Sequence, residues 1–286
     1  MTAAGGSRRV DGSVAAPILS AYDGRTPSAV RLGEQLARLL GLPLHVAIAY
    51  RYEPAATGGN LGLAPENERR LEAADRALDS LSLEPETARS TLPAEGIAPG
   101  LLQLAVELGA AVIVLAADRH GHVTREVAGH ATCPVVVAPP DPLLLTDRPQ
   151  AIGVAFDGSV AGRPALIAAE RLALAAGVRL DIVAVGRDAQ HVTALRGRVE
   201  EAASSLDAAA RGLVRRGRAA DELRRACEHL DLMVCGSRNR GAVLGAVLGS
   251  VSSQLVDDPV SPIMVVPVRA RRDGAGPLGL TIATRT

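Results

Sequence analysis

The sequence predicts an α/β protein of two tandem domains, each a roughly five-stranded parallel sheet with helices on both faces. Three observations predict it. Short apolar runs alternate with amphipathic stretches, the pattern of strands joined by crossover helices. The alternation is made twice, in the same order. A proline-bearing segment with Pro139, Pro140, Pro142 and Pro149 separates the two passes.

Each pass opens alike. Residues 17–30 run from Pro17-Ile18-Leu19 through Tyr22-Asp23-Gly24 into an alanine-bearing amphipathic stretch. Residues 151–166 do the same through Phe156-Asp157-Gly158. This reads as strand, turn and helix, with Asp23 and Asp157 at the strand ends. Second strands are expected over 42–50 and 179–186, third strands near 86–92 and 211–217, inner strands over 110–116 and 231–236. Final strands over 134–138 and 262–268 are entered by Cys133-Pro134 and Ser261-Pro262. Helical patterns cover 65–82, 98–109, 163–177, 189–210 and 219–230. The expected division is a disordered N-terminus over 1–14, a first domain over 15–140, a linker over 141–149, a second domain over 150–268 and a tail over 269–286. The tail is rich in Gly and Arg, and its 278–283 stretch is apolar enough to pack.

Composition removes several function classes. Hydrophobic residues make up 48% of the 286, enough for a real core. Basic and acidic residues number 31 each, so there is no electrostatic footprint for nucleic acid. No lysine occurs. That excludes a Walker-type lysine loop, a Schiff base and a kinase-type phosphate lysine. Cys133, Cys227 and Cys235 form no CxxC pair, which argues against structural zinc or a disulfide framework. Cys235 sits in an apolar run and reads as a buried thiol. No apolar run reaches the roughly 18 residues of a membrane span, and no signal-type core opens the chain. A soluble, cytosolic protein without membrane attachment is expected.

The strongest pointer to a ligand is Val234-Cys235-Gly236-Ser237-Arg238-Asn239, then nine residues, then Gly249-Ser250. A strand running into a glycine-rich loop and a Gly-Ser helix start presents backbone N–H groups to an anion, most plausibly phosphate. In open α/β sheets ligands bind at the carboxyl ends of strands, where strand order reverses. Should the first and fourth strands of the second pass be neighbours, Asp157 and Gly236 converge on one crevice.

These pieces resemble the universal stress protein family in its tandem form. The resemblance is carried by residues 154–159, 231–237, Leu248-Gly249-Ser250-Val251 and Ser261-Pro262-Ile263-Met264-Val265-Val266. In the first pass it is carried by His130-Ala131-Thr132-Cys133-Pro134 and the valines that follow. It implies Rossmann-like domains of the adenine nucleotide alpha hydrolase type over roughly 15–268. The ATP-binding branch carries Gly-x-x-Gly-x9-Gly-Ser/Thr, and Asn239 stands here for the second glycine. Asparagine tolerates the left-handed region, so the loop can keep its path, although its side chain crowds a phosphate.

Carried over, the resemblance implies that Asp157, with Gly158 behind it, meets the adenine or ribose side. Val185 would line the adenine pocket by its backbone. Gly236 and Ser237 would let the chain turn close to the phosphates. Gly249, Ser250 and Val251 would supply N–H groups and a hydroxyl. Arg238, with Arg240, is our own addition as a charge offset. The implied cofactors are ATP and Mg²⁺, and the implied pairing is between final strands, within the chain or in a homodimer.

The first pass departs from the pattern. Ala116 replaces Gly236. Seventeen positions separate Ala116 from Cys133 against twenty-five from Gly236 to Ser261, so eight residues are missing where phosphate would be held. Asp118 puts an acid there instead. The first domain is therefore expected to be a degenerate partner that binds no ATP, with Asp23 left alone.

Plainer readings stand beside these. Asp157-Gly158 is an ordinary turn pair, and serine is an ordinary helix cap. The signal is in the combined spacing. His120 and His122 read as a solvated loop, His130 and His229 as surface helix residues. The 211–218 arginines read as a solvated face. No catalytic triad and no metal site are assigned, and no general base is placed for fast turnover. The expected function is a nucleotide-dependent stress-response regulator with at most slow hydrolysis. A scaffold of the same fold that has lost nucleotide, or an enzyme on a nucleotide or acyl substrate, are the alternatives.

Overall fold

The computed structural model describes residues 15–53, 65–118, 121–141, 149–237 and 248–267, together with Leu278. In the first half the elements are β1 (Ile18–Ala21), α1 (Ser28–Leu40), β2 (Leu44–Arg51), α2 (Pro65–Asp79), β3 (Ala88–Ala94), α3 (Ile97–Glu107), β4 (Val112–Ala116), α4 (His122–His130) and β5 (Val135–Ala138). The second half repeats them as β6 (Ile152–Ala155), α5 (Arg163–Ala176), β7 (Leu180–Gly186), α6 (Ala189–Ser204), β8 (Ala210–Arg216), α7 (Ala219–Cys227), β9 (Leu232–Ser237), α8 (Ser250–Asp257) and β10 (Ile263–Pro267). A short 3-10 turn, Val160–Gly162, precedes α5.

The ten strands form one sheet in the order β3-β2-β1-β4-β5-β10-β9-β6-β7-β8. Neighbours are parallel except at the centre, where β5 and β10 run antiparallel through Val137↔Ile263, Val136↔Met264 and Val135↔Val265. Helices α1, α2, α5 and α6 pack their buried faces on one side of the sheet. Helices α3, α4, α7 and α8 cover the other. With both faces covered, the inner strands read as continuous apolar runs; β4, β5, β9 and β10 are buried along almost their whole length. Leu278 of the tail, 2% exposed, joins the core on the α1 side.

Three boundaries differ from the sequence reading. Helix α6 ends at Ser204, and 210 already belongs to β8. The Ser204 and Ser205 hydroxyls donate back to the Glu200 and Ala202 carbonyls, while the Asp207 N–H is taken by Glu170 on α5. These local bonds compete with the helical ladder and stop it. His122 is the first residue of α4, exposed, and His229 lies in the turn after α7. The third strands are β3 and β8, at the two edges of the sheet. Their pattern is half-exposed and broken by arginine, which is why the sequence marks them faintly.

Among the described residues an ion pair crosses between the halves: Arg125 Nε on α4 meets Asp257 Oδ1 at the end of α8, at 2.5 Å. Both side chains are partly exposed, so Arg125→Ala is expected to cost well under about 1 kcal/mol, read as a small shift of the denaturation midpoint.

Candidate functional site

In the second half the strand order runs outward from β6 in both directions, to β7 and β8 on one side and to β9 and β10 on the other. The reversal point lies between β6 and β9, which pair in parallel through Ile152↔Leu232 and Val154↔Val234. The crevice at their carboxyl ends is where a ligand sits in such sheets. Asp157 and Gly236 thus flank one opening.

Asp157 builds the turn out of β6. Its Oδ1 accepts the Ser159 N–H at 3.0 Å and the Ser159 hydroxyl at 2.6 Å. Ser159 Oγ in turn accepts the Gly162 N–H at 3.2 Å. Gly158 has φ of +75°, and a Cβ there would stand 2.4 Å from Arg198 Cδ, so only glycine fits without strain. The 3-10 turn that follows brings the Ala161 carbonyl over Gly236, 3.7 Å from where its Cβ would be. One Asp157 oxygen therefore holds the turn that forms the roof of the crevice, a role that spacing alone does not reveal.

Val185 lies on β7 two residues past the last β6–β7 pair, Ala155↔Val183, and pairs outward with Arg215 of β8. It thus stands beyond the last residue that β6 pairs. Gly186 follows it. A Cβ there would meet the Val192 backbone nitrogen at 2.7 Å, so glycine lets α6 start close against the strand end.

On the β9 side, Gly236 pairs with Val266 and Ser237 with Pro267. Arg238 and Asn239 lie outside the described residues, as does Arg240. The chain re-enters at Leu248, and α8 starts at Ser250 after Gly249, whose φ of −61° and ψ of 149° are extended. Gly249 itself offers no side chain to cap this helix. The first N–H groups of a helix have no partner within it, and an anion satisfies them. Ser250 is exposed and Val251 half-buried beside it.

The first half shows the same place filled. Helix α4 starts after Gly121, six residues past Ala116, whereas α8 starts fourteen past Gly236; the eight-residue difference falls wholly in the strand–helix loop. Asp118 occupies the helix N-terminus. Its Oδ2 accepts the His122 N–H at 2.9 Å, and its Oδ1 accepts the Thr124 N–H at 3.1 Å and the Thr124 hydroxyl. Burial pushes the Asp118 carboxyl up, but these donors outweigh it and hold it below the usual carboxylate range. Asp23 is spent likewise on its own turn, its Oδ1 accepting the Arg25 and Thr26 N–H groups at 2.8 Å.

The three cysteines are buried. Burial pushes the Cys133 and Cys235 thiols up to about 12 and Cys227 to about 11, so none serves as a thiolate. Among the described residues no group of three His, Cys, Asp or Glu side chains could hold a metal ion, and no helix is long and apolar enough to cross a membrane.

Comparison with known proteins agrees with this architecture. Residues 149–267 match the model of the universal stress protein family. No curated protein matches the sequence. Among solved structures, a universal stress protein from Archaeoglobus fulgidus covers 88% of this chain and 98% of its own, with a TM-score of 0.64 and 18% identity. A protein of unknown function from Pseudomonas aeruginosa covers 88% and 92%, with a TM-score of 0.56 and 16% identity. The cytoplasmic domain of a prokaryotic cation chloride cotransporter covers 89% and 96%, with a TM-score of 0.50 and 9% identity. At these identities the likeness is one of fold. Residues 149–267 thus carry a domain of the universal stress protein family.

Proposed function

We propose that the protein binds ATP in the crevice of a second domain, residues 150–268, and acts as a nucleotide-dependent regulator of the stress response in the cytosol. The observation that carries this reading is the N-terminus of α8, entered through Gly249 and tied to Gly236 at the reversal point of the strand order. The triphosphate would lie along Gly236, Ser237, Gly249, Ser250 and Val251, with Arg238 and Asn239 in the intervening loop. Adenine and ribose would lie toward Asp157, Gly158 and Val185. Magnesium would be held by phosphate oxygens, as this ion usually is, because the protein side offers no acidic cluster among its described residues. The first domain, residues 15–140, serves as a structural partner paired with the second within the chain. Its helix α4 already holds the Asp118 carboxylate where a phosphate would bind.

Calorimetric titration with Mg-ATP tests the reading. One site per chain is expected, and Asp23→Ala should leave its affinity unchanged. No heat at millimolar ATP would remove nucleotide binding and leave the scaffold reading, which Asn239 in place of a motif glycine favours. Two equivalent sites would overturn the assignment of the first domain.

A further inference from the structure

In the first turn of α8 one hydroxyl is turned inward. Ser252 is 5% exposed, and its hydroxyl donates to the Gly236 carbonyl at 2.9 Å. Gly236 stands two residues beyond the last β6–β9 pair, so β6 no longer holds its backbone there. The bond from Ser252 fastens the end of β9 to the helix that should receive the anion. A phosphate at that terminus would be repelled by the negative end of the Gly236 carbonyl dipole, which this bond occupies. In α4 the third helical residue, Thr124, spends its hydroxyl and its N–H on Asp118. One helical position thus has two uses. In the first half it secures an internal anion; in the second it secures the strand end.

We propose that Ser252 is a positioning residue for the phosphate end of the site, acting through the Gly236 carbonyl without touching the nucleotide. The proposal rests on the nucleotide reading above. Two variants and two measurements test it. Ser252→Ala is expected to weaken Mg-ATP binding by roughly five-fold, the equivalent of one net hydrogen bond of about 1 kcal/mol. Ser252→Thr keeps the donor and should restore affinity to within about two-fold. Amide hydrogen exchange on the nucleotide-free protein should be faster over residues 253–256, whose amides carry the first bonds of the helix, in the alanine variant and near wild type in the threonine variant. Wild-type affinity in Ser252→Ala, or equal weakening in both variants, overturns the proposal. If the wild type takes up no nucleotide, the functional reading fails on its own account. The exchange measurement then still decides the tie, and unchanged exchange in Ser252→Ala overturns it.

Discussion

Gly249→Val is expected to weaken Mg-ATP binding at least about 30-fold, a loss of roughly 2 kcal/mol, in a protein that still folds. Gly249 has extended backbone angles that valine adopts without strain, so the substitution does not act through conformation. As the residue before the first turn of α8 it carries no capping side chain, so no cap is lost, and the less suitable residue there costs the helix about 1 kcal/mol at most. The cost to the ligand is larger. An isopropyl group would stand at the mouth of the N–H groups of Ser250, Val251 and Ser252 and keep an anion from reaching them. Titration calorimetry gives the affinity and circular dichroism the fold. Gly249→Ala should fall between the two. Binding within two-fold of wild type in the valine variant would mean that the site lies elsewhere.

Asp118→Ala is expected to destabilise the protein by about 1–2 kcal/mol at neutral pH, in the range of helix-cap removals. The carboxylate answers the His122 and Thr124 N–H groups and the Thr124 hydroxyl, all of which the substitution leaves without that partner. The pH dependence follows from its direction of shift. The carboxyl is held below its ordinary value in the folded protein, so its stabilisation is fully present above the unfolded value near 3.9 and fades as the pH falls through the folded one. The gap between wild type and variant should therefore be constant from neutral pH down to about 5 and narrow progressively below about 4. A denaturation series over that range measures it. A gap that persists at low pH would mean that the carboxylate's charge is not what Asp118 contributes. Asp118→Asn separates charge from hydrogen bonding, since the amide oxygen can still accept.

Much of this molecule is written in its sequence, for physical reasons that differ by element. The inner strands β4, β5, β9 and β10 are buried on both faces, and burial imposes an apolar run visible without any alignment. The edge strands β3 and β8 meet the core with only part of their residues, so Arg89, Arg211 and Arg215 dilute the signal. The C-terminal stop of α6 depends on where two serine hydroxyls turn, which no periodicity encodes. The site divides the same way. Gly236, Gly249 and Ser250 are marked by spacing, because a close backbone approach requires particular residues at fixed intervals. Ser252 is a serine among three in the first turn of α8, and only the structure shows which hydroxyl faces inward. Asp118 was visible as an acid in the wrong place for phosphate. That it closes α4 by three separate hydrogen bonds was not.

The antiparallel contact of β5 with β10 has a consequence for concentration. Each of these strands would be the exposed, wholly apolar edge of a five-stranded sheet if its neighbour were lost. Both strands belong to one polypeptide, so their encounter is governed by an effective molarity set by the connecting segment. Dilution does not enter it. The protein can therefore be scarce without its central seam opening.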